Sequence, residues 1–186
     1  KARHIIIGLV LSAVVAVWGW NNFLANYQKE RIVGLFYPER DPLGVSYNVI
    51  QSKIAIGSGG WWGKGFRQGT QVQLGFLPEA HNDFVFATVI EEWGMIGGAV
   101  VVAALMTLLL RIAAIGLYAQ HNFSRLLCLG AMIVLLLHVM LNVGSALGVL
   151  PVIGVSLPFV SYGGSNLIMN FLLIGIIQSI ALRESF

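Results

Sequence analysis

The sequence predicts an all-α polytopic membrane protein: four transmembrane helices, one large extracellular loop and a second, re-entrant-like outer loop. Three observations lead there. Of 186 residues, 57% are apolar and only 10% are charged, against about a quarter charged in a soluble domain. The mean hydropathy is +0.81. The apolar residues gather in four runs, each near the ~20 positions a helix needs to cross ~30 Å of hydrocarbon. Helices are the expected form, because lipid offers no partner for unpaired backbone groups. The same numbers exclude a water-soluble globule and a disordered chain. A net charge of only +3, spread along the sequence, excludes a nucleic-acid binder built on a basic stripe. The chain starts at Lys1 and no signal peptide precedes it, so a piece of a longer or processed protein is expected.

The four spans are expected at about 5–24, 84–110 (continuing past Arg111), 126–150 and 163–182, all within a single membrane domain over 1–186. Four crossings put both termini on one side, with outer loops of about 25–83 and 148–162 on the other. The terminal side carries Lys1, Arg3, Arg111, Arg125 and Arg183, and the short outer loop has no Lys or Arg. Cationic residues in short loops stay inside, so both termini are expected in the cytoplasm and the long loop outside. Trp18, Trp20, Trp61, Trp62 and Trp93 crowd at the outer ends of the spans. That suits a long loop lying against the headgroups, or ordinary packing of a loop domain. The single Cys128, inside an apolar run, is expected to be a small packed residue.

The long loop is not low-complexity. Tyr37-Pro38-Glu39-Arg40-Asp41-Pro42 is turn chemistry, with Pro fixing φ. Ser46 to Ile56 places Val49, Ile50, Ile54 and Ala55 at the spacing of a short amphipathic helix on the membrane. Gly57-Ser58-Gly59-Gly60 is expected to break it. Gly63, Gly65 and Gly69 follow, alternating with Lys64 and Arg67. Glycines let backbone approach a ligand closely, and N–H groups beside cations favour phosphate; flexible turns are the ordinary alternative. Pro78 suits the first turn of the second span. A helix starting there would put Glu79 and Asp83 on one face. They would serve as dipole-stabilised caps or, through mutual repulsion, as a carboxyl poised for proton transfer. Glu91 and Glu92 fall deeper, as intramembrane acids facing a cavity or a partner. His138 and Asn142, four apart on the third span, are expected to make interhelical hydrogen bonds.

The second outer loop has no charge, and Pro151 and Pro158 bar a continuous helix. Apolar yet broken, it is expected to be re-entrant or lipid-hugging, which depth allows only where protein buries it or a cavity is lined. Ser161, Gly163, Gly164 and Ser165 would cap the fourth span or form an anion nest beside it.

The run YNVIQSKIAIGSGGWWGKGFRQGTQVQLGFLPEAHNDFVFATVIEEWGMIG closely resembles the SEDS family of bacterial membrane proteins (shape, elongation, division and sporulation). LPVIGVSLPFVSYGGS resembles that family's second signature. The GKGFRQGTQ stretch is closer to the RodA (elongation) branch than to the FtsW (division) branch. The resemblance covers nearly the whole chain, and it implies the C-terminal part of a ten-helix SEDS fold. It also implies a peptidoglycan glycosyltransferase that polymerises lipid II for cell-wall elongation in the bacterial cytoplasmic membrane, working with a class B penicillin-binding protein. The family's PE-x-H-x-D-F motif falls on Glu79, His81 and Asp83, with Asp83 at the essential acidic position. Asn82 stands where Thr is common, and a modest effect is expected of that change. Lys53, Lys64, Arg67 and Gln71, with Ser161, Gly163, Gly164 and Ser165, are the expected substrate-binding residues. Asp83 is the expected general base, or a ligand to a divalent cation (Mg or Mn); no organic cofactor is implied. A lipid II flippase and a non-catalytic scaffold for the penicillin-binding protein are the rival functions. The helices outside this stretch are expected to complete the cavity, so the stretch alone is not expected to be active.

Overall fold

The structure, a computed structural model, describes residues 8, 11, 18–20, 22–37, 44 and 46–184. Contacts divide the chain into two units, Lys1–Ser46 and Tyr47–Phe186. The expected first span, 5–24, lies largely outside the described residues; those described at 8, 11, 18–20 and 22 are helical. The rest of the first unit holds helix α1 (Asn26–Phe36), in a stretch expected to be loop. Ala25 cannot cap it with a side chain, but the Gln28 carboxamide accepts the Ala25 N–H at 3.0 Å, half of a capping box. None of its residues is buried.

The second unit is helical throughout its regular structure. In order it comprises α2 (Tyr47–Gly59), α3 (Thr70–Gln73), α4 (Val85–Tyr118), α5 (Asn122–Ala146) and α6 (Gly164–Arg183). Three of these, α4 to α6, are long and apolar enough to cross a membrane. Apolar side chains cover their outward faces, with Leu110 66% and Ile168 67% exposed. Such faces suit lipid or neighbouring helices, not water. Inward, small and branched residues interlock: Ile112, Ile115, Cys128, Ala131, Leu135 and Ile177 form one cluster. Cys128 is fully buried there, a packing residue as expected. A second cluster seats α2 on the start of α4 through Ala55, Phe84, Ala87, Ile90 and Ala146. The Ser52 hydroxyl donates to the Ala146 carbonyl at 2.7 Å, satisfying one of the open carbonyls at the end of α5.

Helix α4 is broken at Gly94, whose φ of 74° and ψ of −176° are not helical. Continuous helix would pair the Met95 and Ile96 N–H groups with the carbonyls of Glu91 and Glu92. Instead the glycine-rich segment is spliced into the gap. Met95 N–H donates to Gly60 O (2.9 Å) and Ile96 N–H to Trp61 O (3.4 Å). The two freed carbonyls accept from Lys64 N–H (2.9 Å, Glu91 O) and Gly65 N–H (3.0 Å, Glu92 O). Two lost donors and two lost acceptors are all replaced. Away from water each orphan would cost several kcal/mol, roughly 2–7 by transfer data. The close approach requires glycine on both sides. A Cβ on Gly63 would fall on the Glu92 carbonyl, and one on Gly94 on the Trp61 carbonyl.

At the other end of the bundle the Glu184 carboxylate takes the Gln120 N–H (2.6 Å), the His121 N–H (3.4 Å) and the Ser124 hydroxyl. It thus caps α5 from the end of α6. The Ser124 hydrogen bond, followed by those backbone donors, holds the Glu184 carboxyl below its ordinary range. Its contribution is therefore present above that range and is lost as pH falls below it through the lowered, folded-state value.

Gly94→Ala in the full-length protein should lower stability in detergent by at least about 1–3 kcal/mol, since its conformation is essentially restricted to glycine. Gly130→Ala, where a Cβ meets nothing within 4 Å, should be neutral or gain up to about 1 kcal/mol. Thermal unfolding of both variants checks the contrast.

Candidate functional site

Residues 78–84 do not begin α4. The helix starts at Val85, after a turn in which Glu79 has a left-handed φ of 53°. The Glu79 carbonyl accepts from Asn82, Asp83 and Phe84 N–H groups at 3.0, 3.1 and 3.4 Å. The expectation that a helix running from Pro78 carries Glu79 and Asp83 is thereby corrected: both lie in a turn, and the helix starts only at Val85. The Asn82 amide donates to Glu79 Oε2 at 2.6 Å. The residue that departs from the family's Thr thus supplies a donor to the neighbouring acid.

The second connecting segment covers this turn. Tyr162 N–H donates to His81 O (2.9 Å), and the Ser161 hydroxyl donates to Asn82 O (2.7 Å). Asn142, fully buried on α5, donates to both Asp83 O (3.1 Å) and Val155 O (2.8 Å). The Asp83 carboxylate is half-buried, with Oδ2 beside Gly154 of the same segment. Glu79 and His81 are exposed and, with Val72, Leu77, Asn82 and Tyr162, line a cleft of about 410 Å³.

The expected cations are dispersed. Lys64 Nζ pairs with the fully buried Glu91 carboxylate at 2.9 Å and donates to Thr70 Oγ1 at 2.7 Å. Glu91 Oε1 also accepts the Gln71 N–H at 2.9 Å. One carboxylate therefore ties residues 64–71 down onto α4, and Gln71 contributes through its backbone. The Lys53 side chain lies across the turn at Gly148, at the carbonyl end of α5, where a cation complements the helix dipole. Arg67 is exposed, its guanidinium 5.6 Å from the Phe66 ring centroid.

Glu92 is half-buried and lines a mostly apolar groove of about 720 Å³ with Trp62, Phe66, Trp93 and Ile96. His138 is half-buried on α5, its Nδ1 without a partner among the described residues. Ser161 is buried in the segment it braces, Gly163 precedes α6, and Gly164 and Ser165 are exposed at its first turn. Among the described residues no group of three or more His, Cys, Asp or Glu side chains could hold a metal ion. These side chains alone do not make a cage for a divalent cation, the alternative role raised for Asp83. Asn142 and Thr88 are the positions missing from the expected site. Asn142 carried a signal, a polar side chain in an apolar span; Thr88, which donates to Ala80 O at 3.1 Å, carried none.

The family of cell cycle proteins comprising FtsW, RodA and SpoVE matches residues 1–185. The chain is 47% identical over 178 residues to the peptidoglycan glycosyltransferase MrdB of Escherichia coli K12, covering 96% of this chain and 48% of that protein. It is 37% identical to the peptidoglycan glycosyltransferase RodA of Treponema pallidum, covering 87% of this chain and 37% of that one. A chain from a solved peptidoglycan synthase complex that coordinates polymerization and crosslinking superposes with a TM-score of 0.73 at 37% identity, over 98% of this chain and 49% of that one. The chain thus spans about half the length of MrdB and of that solved chain.

Lys64→Met should leave the buried Glu91 charge uncompensated and cost about 3–5 kcal/mol. Lys64→Met with Glu91→Leu should recover much of that loss. A double-mutant cycle on unfolding of the full-length protein measures the coupling.

Proposed function

The chain belongs to the FtsW, RodA and SpoVE family of cell cycle proteins. From that premise we propose that the whole protein is a peptidoglycan glycosyltransferase of the elongation branch. It polymerises lipid II at the outer face of the bacterial cytoplasmic membrane, with both termini of this stretch in the cytoplasm, and works beside a class B penicillin-binding protein. The observation that carries this reading is a half-buried carboxylate, Asp83, on a turn fixed by two other segments and flanked by a cleft at one end of an apolar bundle. A sugar tethered to a membrane carrier must meet its acceptor at such an end.

In the proposed reaction the acceptor hydroxyl attacks the anomeric carbon of the donor sugar. Asp83 takes the hydroxyl proton as the new C–O bond forms. The bond from the anomeric carbon to the pyrophosphate oxygen breaks, and its electron pair leaves with the pyrophosphate. Glu79 and His81, exposed in the cleft, contact the sugars. Arg67, exposed just after the spliced segment, meets the developing negative charge, together with the N–H groups at the exposed start of α6. Lys64 acts at one remove, by neutralising Glu91 and holding Arg67's segment in place. Any divalent cation would have to draw further ligands from the substrate.

Asp83→Asn in the full-length protein should cut lipid II polymerisation in detergent by roughly 10²–10⁴, the range of general acid–base catalysis, with an unchanged unfolding profile. Near-normal polymer from this variant contradicts the assignment. Detergent leaves nothing to transport across, so polymer formed there by the unaltered protein also separates this activity from transport.

A further inference from the structure

We infer that Asn142 and Ser161 are positioning residues for Asp83, an inference that rests on the proposed role of Asp83 as general base. Four consecutive carbonyls of the turn are held from outside it. Ala80 O accepts from the Thr88 hydroxyl at 3.1 Å, His81 O from Tyr162 N–H at 2.9 Å, Asn82 O from the Ser161 hydroxyl at 2.7 Å and Asp83 O from Asn142 Nδ2 at 3.1 Å. Turns at membrane helix ends can leave such carbonyls to water; here a donor is aimed at each.

Both side chains are double-ended. Ser161 gives its proton to Asn82 O and accepts the Leu157 N–H at 2.8 Å. Asn142 splits its two N–H groups between Asp83 O and Val155 O. Each therefore joins the Asp83 turn to the segment 155–161. Gly154, immediately before that segment, lies beside the Asp83 carboxylate. Both residues are buried, at 1% and 8% exposure, so neither meets substrate directly. Asn142 Oδ1 has no partner among the described residues, an arrangement that makes sense when the amide is kept for its two donors. With its flanking peptide planes fixed, Asp83 keeps one approach to the reacting hydroxyl, and displacement of such a group by about 1 Å costs on the order of 10²-fold in rate.

The test uses the full-length protein, purified lipid II and steady-state polymerisation, with thermal unfolding run alongside. Ser161→Ala and Asn142→Leu should lower kcat roughly ten- to hundredfold with KM held within about twofold. Ser161→Thr, which keeps the hydroxyl, should recover most of the loss. A folded Ser161→Ala with unchanged kcat, a loss expressed in KM alone, or a Ser161→Thr as poor as Ser161→Ala overturns the inference. Should Asn142→Leu fail to fold, the Ser161 pair decides. An inactive Asp83→Asn beside a fully active Ser161→Ala refutes the inference alone; a fully active Asp83→Asn refutes the base assignment and the inference with it.

Discussion

Four backbone hydrogen bonds exchanged across the break at Gly94 hold the end of the bundle where chemistry is proposed. Helix α4 gives up two of its own bonds, and the segment 60–65 returns two donors and two acceptors in their place. In an apolar medium an unpaired peptide group is too costly to leave open, so the break and the splice imply each other. The consequence is that a segment of the first loop becomes part of the helix. Once its backbone is fixed there, the partly exposed Lys64 falls beside the buried Glu91 and closes an ion pair with it. Glu91 and Arg111 are then separated by roughly 30 Å of helix rise, about the thickness of hydrocarbon. The two charges can occupy opposite faces of the membrane without either being stranded at its centre.

The site is composite. The turn at 79–84 supplies the acids, α5 supplies Asn142, and the segment 155–162 supplies Ser161 and the Tyr162 N–H. Contacts between residues far apart in sequence fix it, and two of them pass through buried side chains, Asn142 and Ser161, whose loss would leave a carbonyl unsatisfied. This explains how a non-helical turn with a left-handed Glu79 persists at the mouth of a helical bundle: the backbone strain, about 1–3 kcal/mol for such a residue, is offset by bonds to nearly every carbonyl around it.

Length and hydropathy made the three long helices legible, but not their ends. α5 begins at Asn122, not near 126, because Asn122, Ser124 and Arg125 are polar yet helical, capped by Glu184. α4 does continue past the exposed Arg111, as expected, and ends at Tyr118. The expected amphipathic helix at 46–56 is observed as Tyr47–Gly59: Gly57 to Gly59, expected to break it, are helical, and a Cβ on Gly59 would fall on the Ile90 carbonyl. α1 escaped notice because its capping uses Gln28 without a capping side chain at Ala25. The glycine pattern signalled close backbone approach, and its structural partner is the broken backbone of α4. Nothing in Trp93-Gly94-Met95 distinguishes a break from a tolerated glycine, so that partner was invisible in the sequence. The family motif singled out Glu79, His81 and Asp83 as candidates, whereas the donors to the carbonyls of their turn depend on tertiary contacts that no spacing encodes.

Amide hydrogen exchange of the full-length protein in a lipid bilayer tests the splice most directly. Protection of Lys64, Gly65, Met95 and Ile96 should match that of the α4 core and should fall together in Gly94→Ala. Exchange at Lys64 and Gly65 as fast as at exposed loop positions, with Met95 and Ile96 still protected, would contradict it.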